Sequence, residues 1–107
     1  MSKKIDIISL EITWNSLKSI ADECYITLMK SAFSTNIKER HDHSTAITNS
    51  NGKLIAQAEN ALPAHLASMG GLIQHVLDEY SKNIFEGDIF IANDPHVAGG
   101  THLPDIN

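Results

Sequence analysis

The sequence predicts an α+β fold from three observations. Apolar residues recur with a helical period through residues 10–34 and again after Pro63. Two short β-prone stretches flank Asn51 and Gly52, a pair typical of hairpin turns. A third β-prone run occupies residues 88–92. The predicted order is a long N-terminal amphipathic helix, a β-hairpin, a second helix, a buried strand and a Gly-rich loop, and this order favours α+β over alternating α/β.

The first helix is predicted over residues 10–34. Its apolar positions follow steps of three and four residues: Leu10, Trp14, Leu17, Ala21, Cys24, Leu28 and Ala32. Such steps place side chains on one helical face, so we expect the face bearing Trp14, Leu17, Ala21, Cys24 and Leu28 to be buried. Cys24 is interpreted as a small buried hydrophobic residue. Polar residues then crowd in up to His43, which predicts a loop.

The hairpin is predicted from residues 44–50 and 53–57, joined at Asn51-Gly52, where left-handed backbone is tolerated. The second helix follows Pro63 and keeps a helical period up to Tyr80. Gly70 and Gly71 lie inside it, and each glycine costs a helix roughly 1 kcal/mol relative to alanine. The pair therefore suggests either close approach of another backbone or a bend.

Residues 88–92 are short, apolar and β-prone, and we interpret them as a buried strand that ends at Asn93-Asp94-Pro95. Residues 104–107 break off soon after a Gly-rich segment, without a helix cap or a polar tail. We therefore expect residues 1–107 to be the N-terminal portion of a larger α+β subunit.

Composition narrows the classes of function. The 107 residues carry a formal net charge of −5 with scattered basic residues, which disfavours a nucleic-acid partner. The one cysteine cannot form an intrachain disulfide, so a reducing cytoplasm is expected. No apolar run of membrane-spanning length and no signal peptide are present. No phosphate-binding loop motif occurs, so the chain is not expected to hold ATP unaided.

The candidate site is the segment 93–105, which follows the predicted strand and contains two histidines, two aspartates and the Gly99-Gly100 pair. Glycines allow close backbone approach to a ligand or a positive φ. His102 and Asp105 are three residues apart and could share one divalent ion. Together with Asp94 they are the candidate catalytic residues. The alternative is a surface loop whose histidines and aspartates are simply solvated.

Further metal ligands could come from the polar loop before the hairpin. Glu39 and Asp42 are hard oxygen donors, and His41 and His43 are nitrogen donors of intermediate softness. We expect this loop to lie near His102, since both segments are polar and end an element. The alternative is a solvated charged turn.

Four motifs occur in an order that resembles the hydantoinase B/oxoprolinase family. They are residues 34–40 followed by Asp42 and Ser44, residues 51–59, residues 65–69, and Asn93-Asp94-Pro95 with residues 99–105. The resemblance spans nearly the whole chain. His41, His43 and His96 depart from it, because many family members carry other residues there.

The resemblance implies part of an ATP-dependent cyclic amidohydrolase that opens a hydantoin or 5-oxoproline ring. It implies a hetero-oligomer with a hydantoinase A-type partner, which would supply ATP and Mg, and a divalent Mn, Zn or Fe ion. The matched His102 and Asp105 would be metal ligands, assisted by Glu39 or Asp42. The alternatives are ketone carboxylation, as in acetone carboxylase, and a truncated, non-catalytic assembly module. The 107 residues alone are expected to be inactive.

Overall fold

The structure, a computed structural model, describes residues 4–97 and 102–107. Its elements are helix α1 (Ile7–Ser31), short helix α2 (Thr35–Lys38), strands β1 (Ala46–Thr48) and β2 (Leu54–Gln57), and helix α3 (Pro63–Tyr80). β1 and β2 pair as an antiparallel hairpin, so the predicted α+β class is confirmed. The chain divides into two compact units, one with the residues up to 47 and 54–61, the other with 48–53 and the residues from 62 onward.

Helix α1 begins three residues before the predicted start because Asp6 caps it. The Ser9 amide donates to Asp6 Oδ1 at 2.8 Å and the Ser9 hydroxyl donates to Asp6 Oδ2 at 2.9 Å. The backbone hydrogen bond from Ser9 lowers the pKa of the exposed Asp6 carboxyl below its ordinary value. The helix ends at Ser31 rather than at residue 34, and the Ala32 amide closes the last turn on the Leu28 carbonyl.

The first unit has a small core on one side of α1. Ala21 and Tyr25 are buried there against Ala58, with Ile47 and Ala61 packed around them. Two hydrogen bonds fix α1 against the segments that cover it: the Thr45 hydroxyl donates to the Ala21 carbonyl at 2.7 Å, and Trp14 Nε1 donates to the Ile55 carbonyl at 3.2 Å.

The predicted buried face of α1 is only partly correct. Ala21 is buried, but Cys24 and Leu28 are exposed and Trp14 is 51% exposed. One reason is that the covering residues pack on the side that carries Ala21 and Tyr25, which leaves Cys24 outside; the other is the length of the cover. β2 has four residues, or roughly 13 Å of strand, whereas the 25 residues of α1 extend for roughly 37 Å.

The loop predicted between the first helix and the hairpin contains one helical turn, α2, and a sharp reversal after it. His41 is the non-glycine residue there with a positive φ, 56°. His43 follows it and is buried, 6% exposed, in the core of the first unit. The polar pattern at 38–43 predicted a solvent-facing segment, so the burial of His43 was not expected.

In the second unit, the turn of the hairpin has the expected glycine geometry. The Gly52 amide donates to the Asn49 carbonyl at 3.0 Å, and the Asn49 side chain accepts from the Asn51 and Lys53 amides. Gly52 has a φ of 79° and lies against Ile73 and Leu77 of α3. Only Gly52 of the predicted Asn-Gly pair uses the left-handed region, because the loop closes between Asn49 and Lys53.

Helix α3 forms as predicted, with Pro63 in its first turn, where a missing N–H costs nothing. Gly70 and Gly71 do not meet another backbone within the described residues: a Cβ on either glycine would have no neighbouring atom within 4 Å. The interpretation of this pair as a close-approach site is therefore not supported inside the part of the chain that the structure describes.

The prediction of a buried strand at residues 88–92 is wrong. These residues adopt no strand in the described part of the chain, and Ile89 and Ile91 are largely exposed. The reason is the lack of a covering partner, since a run that is apolar on both faces needs other elements on each side.

Neither of the long helices, nor any other helix in the described part of the chain, has the length and apolar character of a membrane-spanning segment.

Candidate functional site

His102 and Asp105, predicted as a pair from their spacing, are brought together by a turn. The Asp105 amide donates to the His102 carbonyl at 3.0 Å. The turn leaves Nε2 of His102 at 3.7 Å from Oδ1 of Asp105, with the His102 side chain 61% exposed and that of Asp105 24% exposed. An imidazole nitrogen and a carboxylate oxygen therefore face one small, solvent-accessible space.

The turn is tied to the end of the 88–92 segment by three hydrogen bonds. The Asn93 side-chain amide donates to the Leu103 carbonyl at 3.0 Å. Ala92 and Asn107 exchange backbone bonds, at 3.0 Å from the Ala92 amide and at 2.9 Å from the Asn107 amide. Asn93 is thus a positioning residue for the turn. The sequence pattern indicated only that it ends the apolar run, although its place in the Asn-Asp-Pro motif was a usable signal.

Asp94, the third candidate catalytic residue, lies directly beside Asn93 and is exposed. Its Oδ1 accepts the His96 amide at 2.9 Å, a local turn that fixes the carboxylate. The Gly99-Gly100 pair, to which we assigned close approach to a ligand, lies outside the described residues. Asp94 therefore adjoins the turn along the chain, and its catalytic role remains a prediction.

Glu39 and Asp42 belong to the first unit and His102 and Asp105 to the second. Glu39 is the C-cap residue of α2, and the Asp42 amide donates to the Asn36 carbonyl at 2.9 Å. Both side chains are exposed. Their approach to His102 remains a prediction. Within residues 4–97 and 102–107, no three His, Cys, Asp or Glu side chains cluster in a way that could hold a metal ion.

His43 has a different role from the one its polar neighbours suggested. Its ring stacks on Tyr25 at 3.9 Å between centroids, and its Nε2 lies 3.0 Å from the Tyr25 carbonyl. A carbonyl can only accept, so Nε2 donates this hydrogen bond. Nδ1 is buried without a partner among the described residues. His43 is thus part of the core of the first unit, and no signal in the sequence indicated this.

The His102–Asp105 pair is chemically suited to a divalent cation. Two ligands of one tetrahedral ion, each at roughly 2.0–2.2 Å, lie roughly 3.3–3.6 Å apart. The observed 3.7 Å separation needs only a small side-chain adjustment to reach that spacing. A nitrogen and a carboxylate oxygen suit Zn, Mn or Fe. The pair therefore fits part of a metal site, with further ligands required from elsewhere.

Comparison with known proteins extends along nearly the whole chain. The profile of the hydantoinase B/oxoprolinase family matches residues 6–107. An uncharacterised protein of Methanocaldococcus jannaschii is 46% identical, over 95% of this chain and 18% of its own length. The 5-oxoprolinase 1 of Arabidopsis thaliana is 40% identical, over 94% of this chain and 8% of its own. The 5-oxoprolinase of Saccharomyces cerevisiae is 41% identical, over 95% and 8%.

No solved structure matches the chain. The chain spans less than a fifth of the length of each of these three relatives. The family match nevertheless includes both His102 and Asp105 and begins at the residue that caps α1. The chain therefore belongs to the hydantoinase B/oxoprolinase family.

Proposed function

We propose that this chain is part of a hydrolase that opens cyclic amides, a hydantoin or 5-oxoproline, in an ATP-dependent reaction. The observation that carries the proposal is the family match over residues 6–107, which includes the His102–Asp105 pair. Two relatives named 5-oxoprolinase, at 40% and 41% identity, favour hydrolysis of a lactam over carboxylation of a ketone. Fold alone would not support this assignment, because function depends on the site.

The site residues have distinct proposed roles. His102 and Asp105 hold a divalent cation, with Glu39 or Asp42 supplying a further oxygen. When bound, the cation would supply Lewis-acid polarisation of the amide carbonyl. Asp94 accepts a proton from water, since its carboxylate is exposed next to the turn. Asn93 positions the turn through its bond to the Leu103 carbonyl.

ATP chemistry is assigned to a hydantoinase A-type part, which activates the substrate before the ring opens. The matched segment makes up 18% of the M. jannaschii protein but 8% of the yeast and plant 5-oxoprolinases. The oxoprolinases are therefore roughly twice as long, which leaves room for the ATP-binding part in the same chain. In the shorter type, a separate partner chain would supply it.

The test of hydrolysis is a hybrid of the yeast 5-oxoprolinase in which this chain replaces the matched segment. We expect ATP-dependent glutamate release from 5-oxoproline, and a loss of at least roughly 100-fold on His102→Ala or Asp105→Ala. His96→Ala is the matched control, because His96 is an exposed histidine outside the pair. A folded hybrid that retains activity with both pair substitutions would contradict the proposal, and a folded but inactive hybrid would favour a non-catalytic assembly module.

The metal assignment can be tested on the 107 residues directly. Calorimetric titration with manganese and with zinc should show weak binding, since the pair leaves most of a four- to six-coordinate shell to water. Either His102→Ala or Asp105→Ala should abolish the heat, and His96→Ala should not. Binding that survives both substitutions would remove these residues as ligands, and tight stoichiometric binding would contradict the claim that other ligands are needed.

A further inference from the structure

The exposure of the side chains alternates along residues 89–91. Phe90 packs on Tyr80 of α3, with ring centroids 5.8 Å apart. Its neighbours Ile89 and Ile91 are 92% and 77% exposed. Successive side chains of a strand point to opposite faces, so in a strand Phe90, which is 39% exposed here, would face α3, and Ile89 and Ile91 would form a bare apolar face. A run with apolar side chains on both faces is typical of a strand that is covered on both sides of its sheet.

The residue that follows this segment, Ala92, is already paired with the backbone of Asn107. Ala92 and Asn107 exchange both backbone hydrogen bonds, at 3.0 Å and 2.9 Å. Such an exchange is the hydrogen-bonded pair of an antiparallel ladder. In that register, the first residue after Asn107 would lie opposite Ile91 and the second opposite Phe90. These two hydrogen bonds therefore define the direction and register of a strand that would continue from Asn107 alongside residues 88–91.

The backbone of residues 89–91 is unused within the described part of the chain, where it makes no hydrogen bond. An apolar edge with unpaired amides is a template for strand addition. The relatives are five or more times longer than the matched segment, which is at most 18% of their length. They therefore contain polypeptide that could pair with it.

We propose that in the longer proteins of this family residues 88–91 form a sheet strand, paired antiparallel with the polypeptide that follows the position of Asn107. The pairing continues the ladder begun by Ala92 and Asn107, and the face of this sheet that carries Ile89 and Ile91 is buried against further polypeptide of those longer proteins. This inference does not depend on the proposed catalytic function, because it concerns pairing and burial alone.

The experiment uses a hybrid of the M. jannaschii protein in which this chain replaces the matched segment, with Cys24→Ser to remove the one cysteine of this chain and with any cysteines of the remainder replaced by serine. Cysteines are placed at Ile91 and at the first residue after Asn107. Residues opposite each other in a non-hydrogen-bonded pair have Cα atoms about 4.5 Å apart, within disulfide range. The control places the first cysteine at Ile89 instead, a diagonal neighbour at roughly 7–8 Å.

We expect mild oxidation to form the disulfide in at least about nine-tenths of the Ile91 variant and in little of the Ile89 variant. Amide exchange at Phe90 should also slow by roughly 100-fold or more relative to the 107-residue chain. Equal cross-linking in both variants, or in neither, would overturn the register. Concentration-dependent protection of Phe90 in the 107-residue chain alone would assign the edge to a second copy and overturn the proposal. If the hybrid does not fold, the same cysteine pairs at the aligned positions of the unaltered M. jannaschii protein give the same readout.

Discussion

The glycine at the hairpin turn and a glycine in α3 should respond to the same substitution with opposite signs. Gly52 has a φ of 79°, and an added Cβ would lie 3.0 Å from Ile73 Cγ2 and 3.2 Å from Leu77 Cδ1. The left-handed backbone costs a side-chain-bearing residue roughly 1–2 kcal/mol. Overpacking against two side-chain methyl groups adds roughly 1 kcal/mol. Gly52→Ala should therefore lower the free energy of unfolding by about 2–3 kcal/mol.

Gly71→Ala is the matched control, because its Cβ would meet no atom within 4 Å and its backbone is helical. Alanine in a helix is more stable than glycine by roughly 0.8–1.0 kcal/mol, so this variant should gain stability. Gly52→Asn separates the two costs at the turn, since asparagine tolerates the left-handed region but still carries a Cβ. It should be less destabilised than Gly52→Ala.

The assay is urea and thermal unfolding followed by helical circular dichroism. For a chain of this size, 1 kcal/mol shifts the melting temperature by roughly 4–8 °C. Gly52→Ala should therefore melt about 10 °C or more below the unaltered chain, and Gly71→Ala a few degrees above it. If Gly52→Ala melted within 2 °C of the unaltered chain, or if Gly71→Ala were the more damaging change, the assigned turn geometry would be wrong.

Three further outcomes follow from local contacts. The pKa of Asp6 is lowered from 3.8, so its cap on α1 is at full strength above that value and is lost as the pH falls through the lower folded value. The protection of the first-turn amides against hydrogen exchange should therefore decrease in that pH range. Asp6→Asn, which still caps the helix, should remove this pH dependence. Thr45→Val removes the 2.7 Å bond to the Ala21 carbonyl and should cost about 0.5–1.5 kcal/mol in urea unfolding, whereas Thr13→Val, at an exposed site, should be near neutral. Cys24 is exposed and should react with a maleimide in the folded chain nearly as fast as in urea, whereas a cysteine placed at Ala21 in a Cys24→Ser background should be protected.

Local sequence signals accounted for α1, the hairpin and α3, but not for α2 or for the absence of a strand at the described residues 88–92. Pro63 marked the start of α3, and Gly52 marked the turn of the hairpin. The capping role of Asp6 was not predicted, so the start of α1 was placed three residues late. Such signals are strong because they act within a few residues, through backbone φ and through hydrogen bonds to neighbouring amides.

Burial was much harder to predict than the elements. The apolar stripe of α1 suggested Cys24, but Tyr25 occupies the core, because Ala58, Ile47 and Ala61 pack on the side of the helix that carries Tyr25. The run at 88–92 has the composition of a buried strand, yet Ile89 and Ile91 are exposed. Composition records which residues can be buried, whereas burial itself needs a second element at the right place.

Two histidines illustrate which features the sequence could predict and which depended on tertiary packing. The sequence by itself determined that His102 and Asp105 are three residues apart next to Pro104, and a turn of that length brings an imidazole and a carboxylate together. It could not determine that His43, which is also in a polar segment, is stacked on Tyr25 inside the core. Spacing along the chain fixes short-range geometry, because few backbone conformations connect neighbouring residues. The environment of His43 depends on a helix 18 residues away, and only the packing of the folded chain decides it.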